Sequence, residues 1–131
     1  METVEITLEL DGAPKKAKIT YDFNPPFIKL DLENLSKTCY GDNLFTCFIK
    51  LRQELPEIRF FCKGAKKNVH PSRVSSQMSS GLMAYELEIG KQALRENIVN
   101  IFDYEEKYLT NDPNIQSEYF TAWINSLKQN K

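Results

Sequence analysis

The chain has 131 residues, 41% of them hydrophobic and 27% charged, which fits one globular domain with a continuous core and excludes a wholly disordered or fibrous architecture. Its 17 basic and 18 acidic side chains leave a formal charge of −1, and this argues against a general nucleic-acid binder, which carries a basic excess. The opening Met1-Glu2-Thr3-Val4-Glu5 has no basic stretch leading into an apolar one. No apolar run approaches the ~20 residues of a membrane span, so a cytoplasmic location and no membrane partner are expected.

In chain order, Val4, Ile6, Leu8 and Leu10 alternate with polar residues, Asp11-Gly12-Ala13-Pro14 turns the chain, and Ala17, Ile19, Tyr21 and Phe23 alternate again. This is a β-hairpin signature. A loop made of all the residues from Asp11 to Pro14 would place Leu8 opposite Ala17, Ile6 opposite Ile19, Val4 opposite Tyr21 and Glu9 opposite Lys16. Asn24-Pro25-Pro26 breaks the ladder before Ile28, Leu30 and Leu32 begin a third strand. Asp42 or Asn43 can cap a helix carrying Leu44, Phe48, Leu51 and Leu55, which Pro56 ends.

Residues 58 to 62, 82 to 89 and 98 to 102 read as further strands, giving about six. In the 82 to 89 strand, Glu86 and Glu88 are expected to share the solvent face. At the carboxyl end Asp112-Pro113 starts a second helix with Ile115, Tyr119, Trp123 and Leu127 as its apolar stripe. Parallel βαβ alternation is mostly lacking. The expectation is a single α+β domain over residues 1 to 131, with a largely antiparallel sheet of about six strands and two amphipathic helices.

The three cysteines, Cys39, Cys47 and Cys62, include no CxxC pair. An odd and sparse set reads as reduced thiols, with Cys47 and Cys62 packed as small hydrophobes.

Residues 63 to 81 hold four basic side chains, five serines and no acid. A loop of this length in a small domain is uncommon and often functional. Lys63, Lys66, Lys67, His70, Ser72 and Arg73 are candidate groups for holding a phosphate or carboxylate, since charge-assisted hydrogen bonds are the stronger kind. Neither a P-loop nor a GxGxxG spacing is present. His70 is the lone histidine, which excludes a multi-histidine metal site. Ser72 has no GxSxG elbow around it, so no catalytic, metal or cofactor site is expected.

Over residues 63 to 90 the string K-G-x-x-x-x-V-x-P-S-x-x-S-x-x-M-x-x-G-x-x-A-Y-x-L-x-x-G, followed by I-V-N-I-F-D at Ile98 to Asp103, resembles small bacterial immunity proteins of polymorphic or contact-dependent toxin systems. The resemblance covers about a third of the chain. It implies a cytosolic inhibitor that neutralises a cognate toxin by binding it.

From Glu96 to Asp112 there are five acids against Lys107 alone. Asp103, Tyr104, Glu105, Glu106 and Tyr108 interleave aromatic anchors with charges able to steer a basic partner, which suits a protein interface. The leading expectation is therefore a binding-only immunity protein, not an enzyme, whose partner is a cognate toxin such as a nuclease. The alternative is an anion- or nucleotide-binding protein, enzymes included, that uses the basic serine-rich loop.

Overall fold

The alternation of the first forty residues becomes a meander of β1 (Glu2–Leu10), β2 (Ala13–Phe23), β3 (Pro26–Leu32) and β4 (Leu35–Tyr40). The structure is a computed structural model that describes residues 1–72 and 79–129, with Gln129 described by its backbone only. After β4 come α1 (Leu44–Glu54), β5 (Arg59–Phe60), a 3-10 turn (Lys63–Ala65), β6 (Val69–His70), β7 (Met83–Glu86), a second 3-10 turn (Arg95–Asn97), β8 (Ile98–Asn100) and α2 (Pro113–Gln129). Among the described residues the strands form two antiparallel sheets, of order β4-β3-β2-β1-β5 and β6-β7-β8. The α+β, antiparallel reading therefore holds. Among the described residues there are eight strands where about six were expected; β4 and the two-residue β6 are the additions.

The first hairpin has a different register from the one expected. Leu10 pairs with Ala13, so Leu8 faces Lys15, Ile6 faces Ala17, Val4 faces Ile19 and Glu9 faces Pro14. The loop is only Asp11-Gly12, both at positive φ (54° and 77°), the paired left-handed conformation whose twist matches that of the flanking strands. Because the slip is two residues and side chains repeat every two, every side chain keeps its expected face. Ile6, Leu8, Ala17, Ile19, Ile28 and Leu30 are accordingly buried.

Helix α1 begins where the capping chemistry places it, with Asn43 Oδ1 accepting from the Thr46 amide at 2.9 Å. It lays Leu44, Phe45, Cys47, Phe48, Leu51 and Arg52 inward, against β3 and β4. All three cysteines are buried and free, Cys39 included. Their thiols are pushed up to about 12 (Cys39), 11 (Cys47) and 12 (Cys62), mainly because burial disfavours a thiolate.

Helix α2 differs from its expected stripe at its start. Ile115 is 40% exposed and the neighbouring Gln116 is 2% exposed; Tyr119, Trp123 and Leu127 are half-buried. A polar side chain takes the innermost position because backbone carbonyls, not apolar groups, await it there: Gly64 O lies 3.0 Å and Lys66 O 2.7 Å from Gln116 Nε2. No helix of the described residues is long and apolar enough to cross a membrane.

Candidate partner-binding surface

The basic segment and the acidic-aromatic segment, 40 residues apart in the chain, lie side by side in the fold. Backbone bonds tie them together: Lys63 N to Asp103 O at 2.8 Å, Glu105 N to Phe61 O at 3.2 Å, Lys67 N to Tyr108 O at 2.8 Å and Thr110 N to Ala65 O at 2.8 Å. Bridges at Cys62–Tyr104 and Lys66–Leu109 complete the seam. The stretch from residue 103 to 109 is therefore held along its length, although it contains no regular strand.

The charges of the two segments meet in one network. Lys66 Nζ lies 2.8 Å from Glu105 and 3.0 Å from Glu86, and Lys63 Nζ lies 3.4 Å and 3.6 Å from the same two carboxylates. Lys66 and Glu105 side chains are only 7% and 18% exposed. Glu105 also accepts from the amides of Glu106 and Lys107. The Lys66 ammonium, followed by those amides, holds its carboxyl at about 2, well below the usual range. Each charge here is matched, as buried charges must be.

Two expectations change in consequence. Glu86 does not share an exposed face with Glu88: β7 ends at Glu86, whose side chain lies on the same side as buried Ala84, and its carboxylate serves the two lysines. Glu105 belongs to the supporting network, while Asp103, Tyr104, Glu106 and Tyr108 remain exposed.

Tyr104 and Tyr108 are 55% and 60% exposed. The Tyr104 hydroxyl donates to the Glu106 carboxylate, which raises its pKa, and its ring packs on Phe61 at 6.2 Å. The Lys67 ammonium sits 5.1 Å from the centre of the Tyr108 ring, within cation–π range. Beside Tyr108 opens a cavity of about 590 Å³ walled by Asn68, Glu86, Glu88, Glu96, Asn97 and Tyr119, among others. It adjoins a second cavity of about 540 Å³ that shares Glu86, Glu88, Glu96 and Asn97.

Among the described residues the candidate anion ligands do not converge on a common point open to an anion. Lys63 and Lys66 face carboxylates, and Lys67 borders the acid-walled cavity. His70 is stacked on Phe120 at 4.1 Å with its Nδ1 2.8 Å from Pro71 O. Ser72 closes the described stretch and is engaged in interactions of its own; Arg73 lies outside the described residues. Among the described residues no group of three or more His, Cys, Asp or Glu is placed to hold a metal ion.

Sequence reasoning missed the cavity and the role of Glu86. The sequence held little signal for it, since Met83, Tyr85, Leu87 and Ile89 form the more apolar row of that stretch and Glu86 meets Lys63 and Lys66 only in the fold. No protein-family model matches the chain, and no curated protein matches it significantly.

Proposed function

We propose that this chain is a binding-only protein of the immunity type, which acts in the cytoplasm and neutralises a cognate bacterial toxin by occluding it. The observation that carries the reading is the exposure of Tyr104 and Tyr108 on a backbone-pinned segment next to an acid-walled cavity. Large aromatic side chains held in place supply contact area at little entropic cost, and they are enriched among residues that dominate binding energy. Glu96 and Glu106 add a field that steers a basic partner, whereas Glu88 is paired with Lys91 at 3.3 Å. A nuclease fits this description because it needs a basic surface to hold phosphates.

The alternative reading, an anion- or nucleotide-binding protein, is weaker on the same geometry, since Lys63 and Lys66 would have to leave Glu86 and Glu105. Titration calorimetry with inorganic phosphate and ATP distinguishes the two, with no binding expected.

The direct test uses the cognate toxin, to be sought among the products of the neighbouring genes. Association rates are measured against ionic strength for the parent, Glu106→Lys and Tyr108→Ala. Charge reversal should slow association and flatten its salt dependence; removal of the ring should raise the dissociation rate by roughly 10- to 100-fold, the scale of a dominant contact. Unchanged kinetics and unchanged protection of cells in both variants would reject this surface.

A further inference from the structure

The five-stranded sheet ends on an incomplete row. In β1 the backbone groups of alternate residues point to alternate sides. Leu10 closes the hairpin with Ala13, so the even-numbered residues bond toward β2 and the odd-numbered ones point away. Thr7 confirms the parity, since its carbonyl accepts from Phe61 on the far side at 3.0 Å. The far row is filled at Glu9 by β5, where it pairs with Arg59, and at Thr7 by Phe61. The chain then leaves it, because Lys63–Ala65 coil into a 3-10 turn and Lys63 bonds instead to Asp103. The outward N–H and C=O groups of Thr3 and Glu5 make no backbone bond among the described residues.

We infer that this edge of β1 takes an extended segment of another protein, added as a strand in the row that β5 vacates, with basic and apolar residues alternating along it. Pairing supplies the main-chain bonds that the open edge lacks. Glu2, Thr3 and Glu5 are exposed, and β1 contains three acids and no base or proline. It therefore lacks the lysines and prolines with which natural sheets discourage edge pairing. The opposite edge of the sheet is guarded: β4 carries Lys37, paired with Glu54 at 3.5 Å, and Lys50 Nζ caps the Tyr40 carbonyl at 2.9 Å.

Side-chain parity defines the occupant. Its outer-face residues lie beside Glu5, whose neighbour across the ladder, Lys18, makes no ion pair with it, so Lys or Arg is favoured there. Its inner-face residues meet Val4, which is half-buried against the core, so an apolar residue is favoured. The vacated row runs up to Phe61, whose ring contacts Tyr104, and a strand seated there would reach the aromatic surface. The inference stands on the backbone edge and does not require the partner to be a toxin.

Amide hydrogen exchange read by NMR tests it, with an acetylated, amidated Lys-Val-Lys-Val-Lys-Val peptide as probe and its Glu-Val counterpart as control. The basic peptide should slow exchange at Thr3 and Glu5 at least tenfold, and the acidic one should not. Glu5→Pro removes an outward donor without touching the β2 ladder, a position where an edge strand tolerates proline; it should abolish the protection at Thr3, the remaining reporter amide, at an unchanged Tm. Should that variant fold poorly, Glu5→Lys supplies the same reading, with binding at least tenfold weaker. Absence of slowing at saturating basic peptide, or equal slowing by the acidic peptide, would overturn the inference. So would protection of the same amides that grows with protein concentration alone, because a second copy would then be the occupant.

Discussion

The Arg52 guanidinium, 1% exposed, donates to Gln116 Oε1 at 2.8 Å, and no carboxylate among the described residues lies within ion-pair distance. Its other bonds go to the Thr110 carbonyl at 2.7 Å and the Phe48 carbonyl at 3.4 Å, and it lies 4.9 Å over the Phe48 ring. Burial lowers its pKa to about 10, still high enough to keep it charged at neutral pH. Gln116 in turn donates to Gly64 and Lys66. One side-chain pair thus fastens α1, the basic segment and α2 to each other.

Replacing Gln116 with leucine should be severely destabilising. It removes an acceptor from a buried cation and a donor from two buried carbonyls, each loss costing about 1–3 kcal/mol. Urea denaturation should show a loss of roughly 2–4 kcal/mol, and a loss under 1 kcal/mol would mean that water replaces the amide.

Glu105→Gln tests the network under the aromatic surface. The folded carboxyl titrates at about 2 against an ordinary 4.5, so the unfolded chain takes up the proton first as pH falls. The stabilisation is whole above about 4.5 and drains away toward about 2. At ~1.4 kcal/mol per unit it amounts to no more than about 3–4 kcal/mol. The variant should be less stable at pH 7 and should lose most of the acid-side slope between those values; an unaltered slope would assign it to other groups.

His70 is stacked flat on Phe120, and burial lowers its pKa from 6.5, partly offset by the Pro71 carbonyl. The folded state therefore disfavours the charged ring, and its contribution to stability is present above 6.5 and is lost as pH drops below that value. His70→Phe keeps the stack and removes the titration. Thermal melts from pH 7.5 down to 5 should show a shallower decline for the variant than for the parent.

Gly64→Ala should disrupt the seam between the basic and acidic segments. An added Cβ would sit 2.7 Å from Ile101 Cβ and 2.9 Å from the Ile101 carbonyl oxygen, closer than atoms can approach. Overpacking of this kind costs about 1–3 kcal/mol, and the melting temperature should fall by several degrees. Binding by the folded fraction should persist.

Trp123 is half-buried, with its indole N–H donating to the Lys91 carbonyl at 2.7 Å and its ring 5.9 Å from Phe120. Trp123→Ala should cost about 1–3 kcal/mol, below the 3–5 typical of a fully enclosed ring. Unchanged stability combined with lost partner binding would make Trp123 a contact residue instead.

The elements near the amino terminus were legible in the sequence because their signals are local. Alternation from Val4 to Phe23, the proline pair at 25 and 26, and Asn43 ahead of an apolar stripe each set the conformation of their own few residues. Even there, loop length was ambiguous: Asp11-Gly12 and Asp11 to Pro14 both make sensible turns, and only pairing along the whole ladder selects the shorter one. The β6 strand was hidden for a related reason. Two residues carry no periodicity, and Val69 and His70 are extended because β7 lies alongside.

The candidate surface divides the same way. Composition alone marked residues 63 to 81 as basic and 96 to 112 as acidic and aromatic, and charge and residue type are properties each position carries by itself. Which of those charges stay free is decided between segments. Lys66, read as an anion ligand, is buried because Glu86 and Glu105 arrive from 20 and 39 positions away and offset the cost of removing it from water. Glu105, read as a steering charge, is consumed by the same contact, whereas Tyr104, Glu106 and Tyr108 are left outward. Local chemistry thus determined the fold class, the helix caps and the character of the surface. Tertiary structure decided register, burial and pairing, because the energy of an ion pair or a ladder bond depends on a partner the chain brings near only when it folds.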